Sequence, residues 1–382
     1  MFSRRTDWKL TPNRFTQAQQ EAHGREVLDL TISNPTRAGL RYNEKAILIS
    51  LSNPAALDYD PQPKGLLSAR QAIADYYEQQ IDPESLLLTT STSEGYSFVF
   101  RLLCNPEDEV LVPKPSYPLF EFLADLQDVK LVPYPLLYDH GWQIDFPSLE
   151  KAVTPRTRAV VLVHPNNPTG SYVSKAERDA LNRFCREQNL AILVDEVFLD
   201  YAHDGASHPS FASNKDVLTF TLSGISKISA LPQMKLAWIA ASGPAGQLHP
   251  ALSRLEIIAD TYLSLTAPVQ LAAPVLLDQR KQIQPQLLDR VRTNLAELDR
   301  QLAQQKASER LAVEGGWYAI LRVPATRSDE DLAIEILRQA SVLVHPGHFY
   351  DFPRDGYLVL SLITQPGQFR DGIARLLKLL AA

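Results

Sequence analysis

Cysteine is almost missing from this chain of 382 residues: only Cys104 and Cys185 occur, and no CxxC pair exists. That excludes a disulfide framework and a structural zinc site of the usual spacing, and both thiols are expected to pack as small apolar groups. No stretch reaches about 18 uncharged apolar residues, and the first residues hold no apolar core of signal-peptide length, so neither a membrane span nor a secretory leader is expected. A soluble chain in a reducing, cytoplasmic compartment follows. Excess positive charge is also lacking. With 38 Lys+Arg against 44 Asp+Glu, the formal charge of −6 gives no reason to expect nucleic acid or an anionic membrane as partner. Arg4, Arg5 and Lys9 read as a solvated arm. A small-molecule substrate is the better expectation. Finally, there is no internal repeat, low-complexity tract or Gly/Ser linker, so domains must be read from pattern.

Hydrophobic residues make up 45% of the chain and charged residues 21%, the composition of a folded globular protein. From about Leu66, amphipathic helical stretches alternate with short apolar runs at 86–88, 110–112, 129–132, 159–163, 191–194, 218–222 and 236–240. This predicts an α/β fold whose large domain is a mostly parallel sheet flanked by helices. The stretch 66–77 is one covering helix, with Leu66, Ala69, Ile73 and Tyr76 on one face. After about Ala273, Leu288, Val291, Leu295, Leu298 and Leu302 recur at spacings of three and four. Such a stripe suits a coiled-coil seam or a domain-packing helix, and the strands that follow favour the latter. Apolar runs at 317–321, 342–344 and 357–362, with helices near 331–339 and 368–380, predict a smaller α+β domain. The expected division is a large domain over 45–275 and a small one built from 1–44 and 276–382.

In open α/β sheets ligands sit outside the carboxyl ends of the strands. Four such ends carry chemistry. After 86–88 comes Thr89-Thr90-Ser91-Thr92-Ser93-Glu94-Gly95, a hydroxyl-rich turn entering a helix, which suits a phosphate cradle or an ordinary N-cap. After 159–163 comes His164-Pro165-Asn166-Asn167-Pro168-Thr169-Gly170, a rigid turn carrying amides. After 191–194 comes Asp195-Glu196, where a buried charge needs a cationic counterpart. After 218–222 comes Ser223-Gly224-Ile225-Ser226-Lys227, a lysine that desolvation would make nucleophilic. Alone, each has a bland explanation.

Together, in this order on successive strands, they resemble the fold-type-I pyridoxal-phosphate aminotransferases of class I/II. Further matching stretches are Asn34-Pro35-Thr36, the segment Tyr59 to Arg70, Pro113-Lys114-Pro115-Ser116-Tyr117-Pro118 and Gly315-Gly316-Trp317-Tyr318. The resemblance implies pyridoxal 5′-phosphate as cofactor, with Lys227 forming its Schiff base and Asp195 facing the pyridine nitrogen. Asn167 would donate to the 3′ oxygen and Tyr117 would stack on the ring. Ser91, Thr92, Ser93, Ser226 and Lys235 would surround the phosphate. Asn34, Pro35, Arg37 and Asn167 would meet substrate. It also implies that Tyr59 reaches the phosphate of a neighbouring subunit, hence a homodimer with shared sites. The reaction implied moves an amino group from an amino donor to a keto acceptor in two half-reactions, with the freed Lys227 amine as acid and base.

Several positions depart from the family pattern. Phe198 replaces a tyrosine that donates to the 3′ oxygen, predicting a less depressed Schiff-base pKa. Gly224 stands where many relatives have serine, Ser91 where they have glycine, and Gln233 interrupts a Pro-Gly. Lys235 replaces an arginine and loses its planar fork. Val359 replaces the arginine that clamps a substrate carboxylate, so either another cation serves, Arg37 first and then Arg354, or the substrate lacks an α-carboxylate in the usual pose. His345-Pro346-Gly347-His348 reads as a turn near the cleft. A lyase or decarboxylase, and a ligand sensor, are competing functions of the same scaffold.

Overall fold

The structure is a computed structural model and describes residues 1–381. Its main sheet has eight strands: β1 (Leu86–Thr89), β2 (Glu109–Lys114), β3 (Lys130–Tyr138), β4 (Trp142–Ile144), β5 (Thr157–Val163), β6 (Ala191–Asp195), β7 (Thr219–Gly224) and β8 (Ala237–Ser242). They lie in the order β1-β8-β7-β6-β5-β2-β3-β4. The neighbours from β7 to β3 run parallel, whereas β8 is antiparallel to both β1 and β7, and β4 to β3. Each of the seven apolar runs from 86–88 to 236–240 lies in or overlaps this sheet. The short strand β4 was not expected, and the run at 236–240 enters in the opposite direction to its neighbour.

Strands β6, β7 and β8 are buried on both faces, which is why they read as continuous apolar runs. Side chains alternate between two cores. Leu193, Phe220 and Ile239 meet the helices Thr92–Leu103 and Ala245–Tyr262 on one face. Ile192 and Val194 meet Leu181, Phe184 and Cys185 of the helix Lys175–Glu187 on the other. That last helix starts on a capping box, in which Ser174 accepts from the Glu177 amide and Glu177 from the Ser174 amide.

The smaller domain holds an antiparallel sheet of β9 (Glu309–Arg310), β10 (Tyr318–Arg322), β11 (His345–Pro346) and β12 (Tyr357–Ser361) in the order β9-β10-β12-β11. The helix Arg280–Leu302 packs Ile283, Leu287, Val291 and Leu298 into its core, with Leu288 and Leu295 against the edge. The leucine stripe is therefore spent within the chain, as a domain-packing helix. Phe15, Leu28 and Leu30 share this core with Ile373 and Leu376, so both ends of the chain build it. Leu28–Asp29 also pairs in parallel with Val342–Leu343. Among the described residues, no helix is long and apolar enough to cross a membrane.

Candidate active site

Lys227 follows β7 in the short helix Ile225–Ile228. Its position depends on Gly224, the last residue of β7, because a Cβ there would lie 2.9 Å from Ala237 Cβ and 3.0 Å from the Leu236 carbonyl oxygen. The adjoining strand leaves no room for serine, so this departure from the family pattern is a packing requirement. The Tyr201 hydroxyl donates to the Lys227 carbonyl at 2.6 Å and fixes the backbone. The Nζ lies 4.9 Å from the ring centroid of Trp317 and 5.5 Å from that of Phe198. Among the described residues it makes no hydrogen bond or ion pair. Burial lowers the pKa of this amine to about 8, against the pull of Asp195.

Asp195 is the last residue of β6. One carboxylate oxygen accepts from the Val197 amide at 3.1 Å and the other from the Tyr96 hydroxyl at 3.3 Å. Burial still raises its pKa to about 6, with those donors and Lys227 pulling the other way.

The two asparagines after β5 divide the work. Asn166 holds the turn: its Nδ2 donates to the Pro115 carbonyl at 3.1 Å and to Thr169 Oγ1 at 2.9 Å, while the Ser116 hydroxyl donates to its Oδ1 at 3.3 Å. Gly170 closes the turn at φ +70°, where a Cβ would lie 2.4 Å from the Gly315 carbonyl oxygen. Asn167 is left facing a cavity, its buried Oδ1 without a partner.

That cavity, about 390 Å³, is lined by Lys227, Asp195, Asn167, Tyr117, Thr92 and Ser226, all singled out in the sequence. Phe198 lies in the same wall. Thr92 opens the helix Thr92–Leu103, and Ser91 caps it by accepting from the Glu94 amide at 3.2 Å. The first-turn amides, including that of Ser93, belong to a helix end that favours an anion. The side chains of Ser91 and Ser93 do not line the cavity.

Other expected residues are not brought there. Lys235 is exposed, ends the turn Pro232–Met234 in the left-handed conformation and does not line the cavity. Tyr59 is 82% exposed and lines a different cleft with Asp60 and Leu263. Asn34 accepts from the Thr36 amide at 3.0 Å, and Pro35 is buried beside it. Their neighbour Ser33 lines the cavity, while Arg37 is exposed outside it. Arg354 donates to the Tyr357 hydroxyl at 3.2 Å and does not line the cavity either. Tyr318, His345, Phe349 and Tyr350 complete the wall from the smaller domain. Only the His345 turn and the start of β10 had drawn notice, and only as neighbours of a cleft.

A helix-covered sheet whose strand ends deliver a half-buried lysine and a buried carboxylate to one cavity is the build of a fold-type-I transferase. An aminotransferase structure from Escherichia coli has it with a TM-score of 0.85 at 26% identity, covering 96% of this chain and 94% of that one. The chain belongs to the aminotransferase class I and II family, whose family model matches residues 26–365. It is 30% identical over 365 residues to an alanine aminotransferase of Mycobacterium tuberculosis, 91% of this chain and 84% of that protein. It is 28% identical over 381 residues to a glutamate-pyruvate aminotransferase of Haemophilus influenzae, 94% and 92% of the two chains. It is an aminotransferase, and its substrates are amino and keto acids.

Proposed function

We propose that this chain transfers an amino group with pyridoxal 5′-phosphate attached covalently at Lys227. One observation carries the reading. A half-buried amine without a hydrogen-bond or ion-pair partner among the described residues shares a cavity with a buried carboxylate, and the buried amide oxygen of Asn167 beside them is unsatisfied. An unpaired amine and an unsatisfied amide oxygen beside a buried carboxylate, all on one cavity, suit a polar, ring-sized group. The residues fit the cofactor. Asp195 would hold a proton on the pyridine nitrogen, Asn167 would meet the 3′ oxygen, and Tyr117 would cover the ring. The first-turn amides at Thr92 and Ser93, with Ser226, would take the phosphate. When bound, the cofactor supplies an electron sink for the charge left on the substrate α-carbon.

The chain's own residues do the rest. Lys227 Nζ would take the proton from the substrate α-carbon and deliver it again, a task suited to an amine whose pKa is brought down to about 8. Asp195 would keep its charge opposite a cation, and the apolar side chains of Val163, Phe198 and Phe349 in the wall would limit the water that could drain the proton. We further propose a homodimer in which Tyr59 completes the neighbouring site. Its exposure, with that of Leu57 at 91%, supports this. The large and small domains would divide at 45 and 275.

A single-turnover test checks the reading. Protein loaded with the cofactor and mixed with an amino acid alone should lose its visible absorbance and release one equivalent of keto acid. Release of ammonia or carbon dioxide instead would point to a lyase or decarboxylase.

A further inference from the structure

The wall of the cavity that faces Lys227 from the smaller domain presents a problem of charge. An amino or keto acid brings a carboxylate, and a buried carboxylate without a counter-charge is costly. Yet among the described residues Lys227 is the only lysine or arginine lining the cavity, and it is engaged in the reaction proposed above. The sheet face on this side is set by strand pairing: His345 lies opposite Val359, which lies opposite Ile320, and Tyr318 lies opposite Ser361. By the two-residue alternation of strands these five share one face. One of them can become cationic, and that one lines the cavity: His345.

We propose that His345 recognises the substrate carboxylate, through its Nε2, and takes up a proton from solvent when the anion binds. The inference rests on the reading of Lys227 and Asp195 given above and adds a specificity-determining residue to it. The ring is held for this task. Its Nδ1 lies 3.1 Å from the Tyr350 hydroxyl, while Nε2 makes no hydrogen bond with a described residue and is not closed off from the cavity. A tyrosine hydroxyl donates to the neutral ring and accepts from the protonated one, so the pair tolerates both charge states. Phe349 packs against the ring, centroids 6.0 Å apart, and is itself braced edge-on by Phe15 at 5.4 Å.

The charged and titratable groups around His345 leave it poised. Burial lowers its pKa and Asp29, on the neighbouring N-terminal strand, raises it. From the helix Asp329–Glu335 packed on β11, Asp329 accepts from the Gly356 and Tyr357 amides. On that helix Asp331 and Glu330 are paired with Arg14, and Glu335 with Arg327. Tyr318 and Tyr350 line the cavity beside it, His348 is exposed on the next turn, and Lys227 and Asp195 stand on the large-domain side. An arriving carboxylate supplies the missing negative charge and favours the imidazolium.

The test uses the cofactor-loaded enzyme, with propionate as an unreactive carboxylate followed by calorimetry, and the variants His345→Gln and His345→Arg. Propionate affinity of the native enzyme should fall about tenfold per pH unit on the alkaline limb. In His345→Gln the affinity should drop about 10–100-fold and that slope should vanish, while single-turnover KM for an amino acid rises far more than the limiting rate changes. His345→Arg should restore affinity without the slope. Unchanged affinity and slope in His345→Gln, with the cofactor still reducible onto Lys227, would overturn the proposal. Failure of that reduction in the native enzyme would instead sink the parent reading, because propionate binding is measured independently of it.

Discussion

Lys227 Nζ stands 4.9 Å from the ring centroid of Trp317, in a pocket where no acceptor reaches it. A lysine in water holds its proton to above pH 10; here burial brings the pKa down to about 8. The rate at which an aromatic aldehyde is trapped on this lysine by borohydride should therefore rise through a midpoint near pH 8. A midpoint above pH 10 would mean the amine is solvated.

Asp195 matters through its charge. Asp195→Asn keeps the shape and one acceptor for the Val197 amide but cannot hold a proton on a ring nitrogen. Transamination should fall by roughly 10²–10³-fold, with the cofactor still reducible onto Lys227. An activity within threefold of the native enzyme would remove Asp195 from the chemistry.

Phe198 lies in the cavity wall, its ring centroid 5.5 Å from Lys227 Nζ. Phe198→Tyr adds a hydroxyl there, and a donor near the cofactor's phenolic oxygen stabilises its anionic form. The pH midpoint of the holoenzyme's visible absorbance should move down. An unmoved midpoint would place the new hydroxyl elsewhere.

Glu196, next to Asp195, accepts from the Phe211 amide at 2.7 Å and the Ser210 hydroxyl at 2.5 Å. Burial nevertheless raises its pKa to about 7, above its unfolded value. A raised carboxyl pKa contributes stability at low pH that is lost as pH climbs through the folded value. Glu196→Gln should flatten the fall in Tm between pH 5 and 8. An equally steep fall would assign that dependence to other groups.

Gly170 needs both a positive φ and the absence of a side chain. Gly170→Ala should lower the unfolding free energy by about 1–3 kcal/mol, read from the denaturant midpoint, and weaken cofactor binding through Asn167. A neutral effect would show the turn to be adaptable.

Much of this architecture was legible because its strands are buried on both faces and end in polar residues. Val194 to Asp195 and Leu222 to Lys227 mark where the core stops and the cavity begins. Other features depend on tertiary neighbours. The reversed direction of β8 leaves no local mark, and the three residues of β4 are too few for a period. At Gly224 the sequence reads as the loss of a phosphate ligand, whereas the packing of Ala237 against it leaves no room for a side chain. Lys235 and Arg37 had suitable chemistry but stand exposed outside the cavity, because charge alone does not say which way a turn leaves the sheet. His345 was hidden for the opposite reason. Its place opposite Val359 is made by pairing between β11 and β12, so the His-Pro-Gly turn could be placed near the cleft by its residues but not in the cavity wall.

The central claim is that one lysine carries the cofactor. Borohydride reduction of the loaded protein, followed by digestion and mass mapping, should find a single pyridoxyl group on Lys227. A group distributed over surface lysines, or one placed on any other residue, would contradict the account.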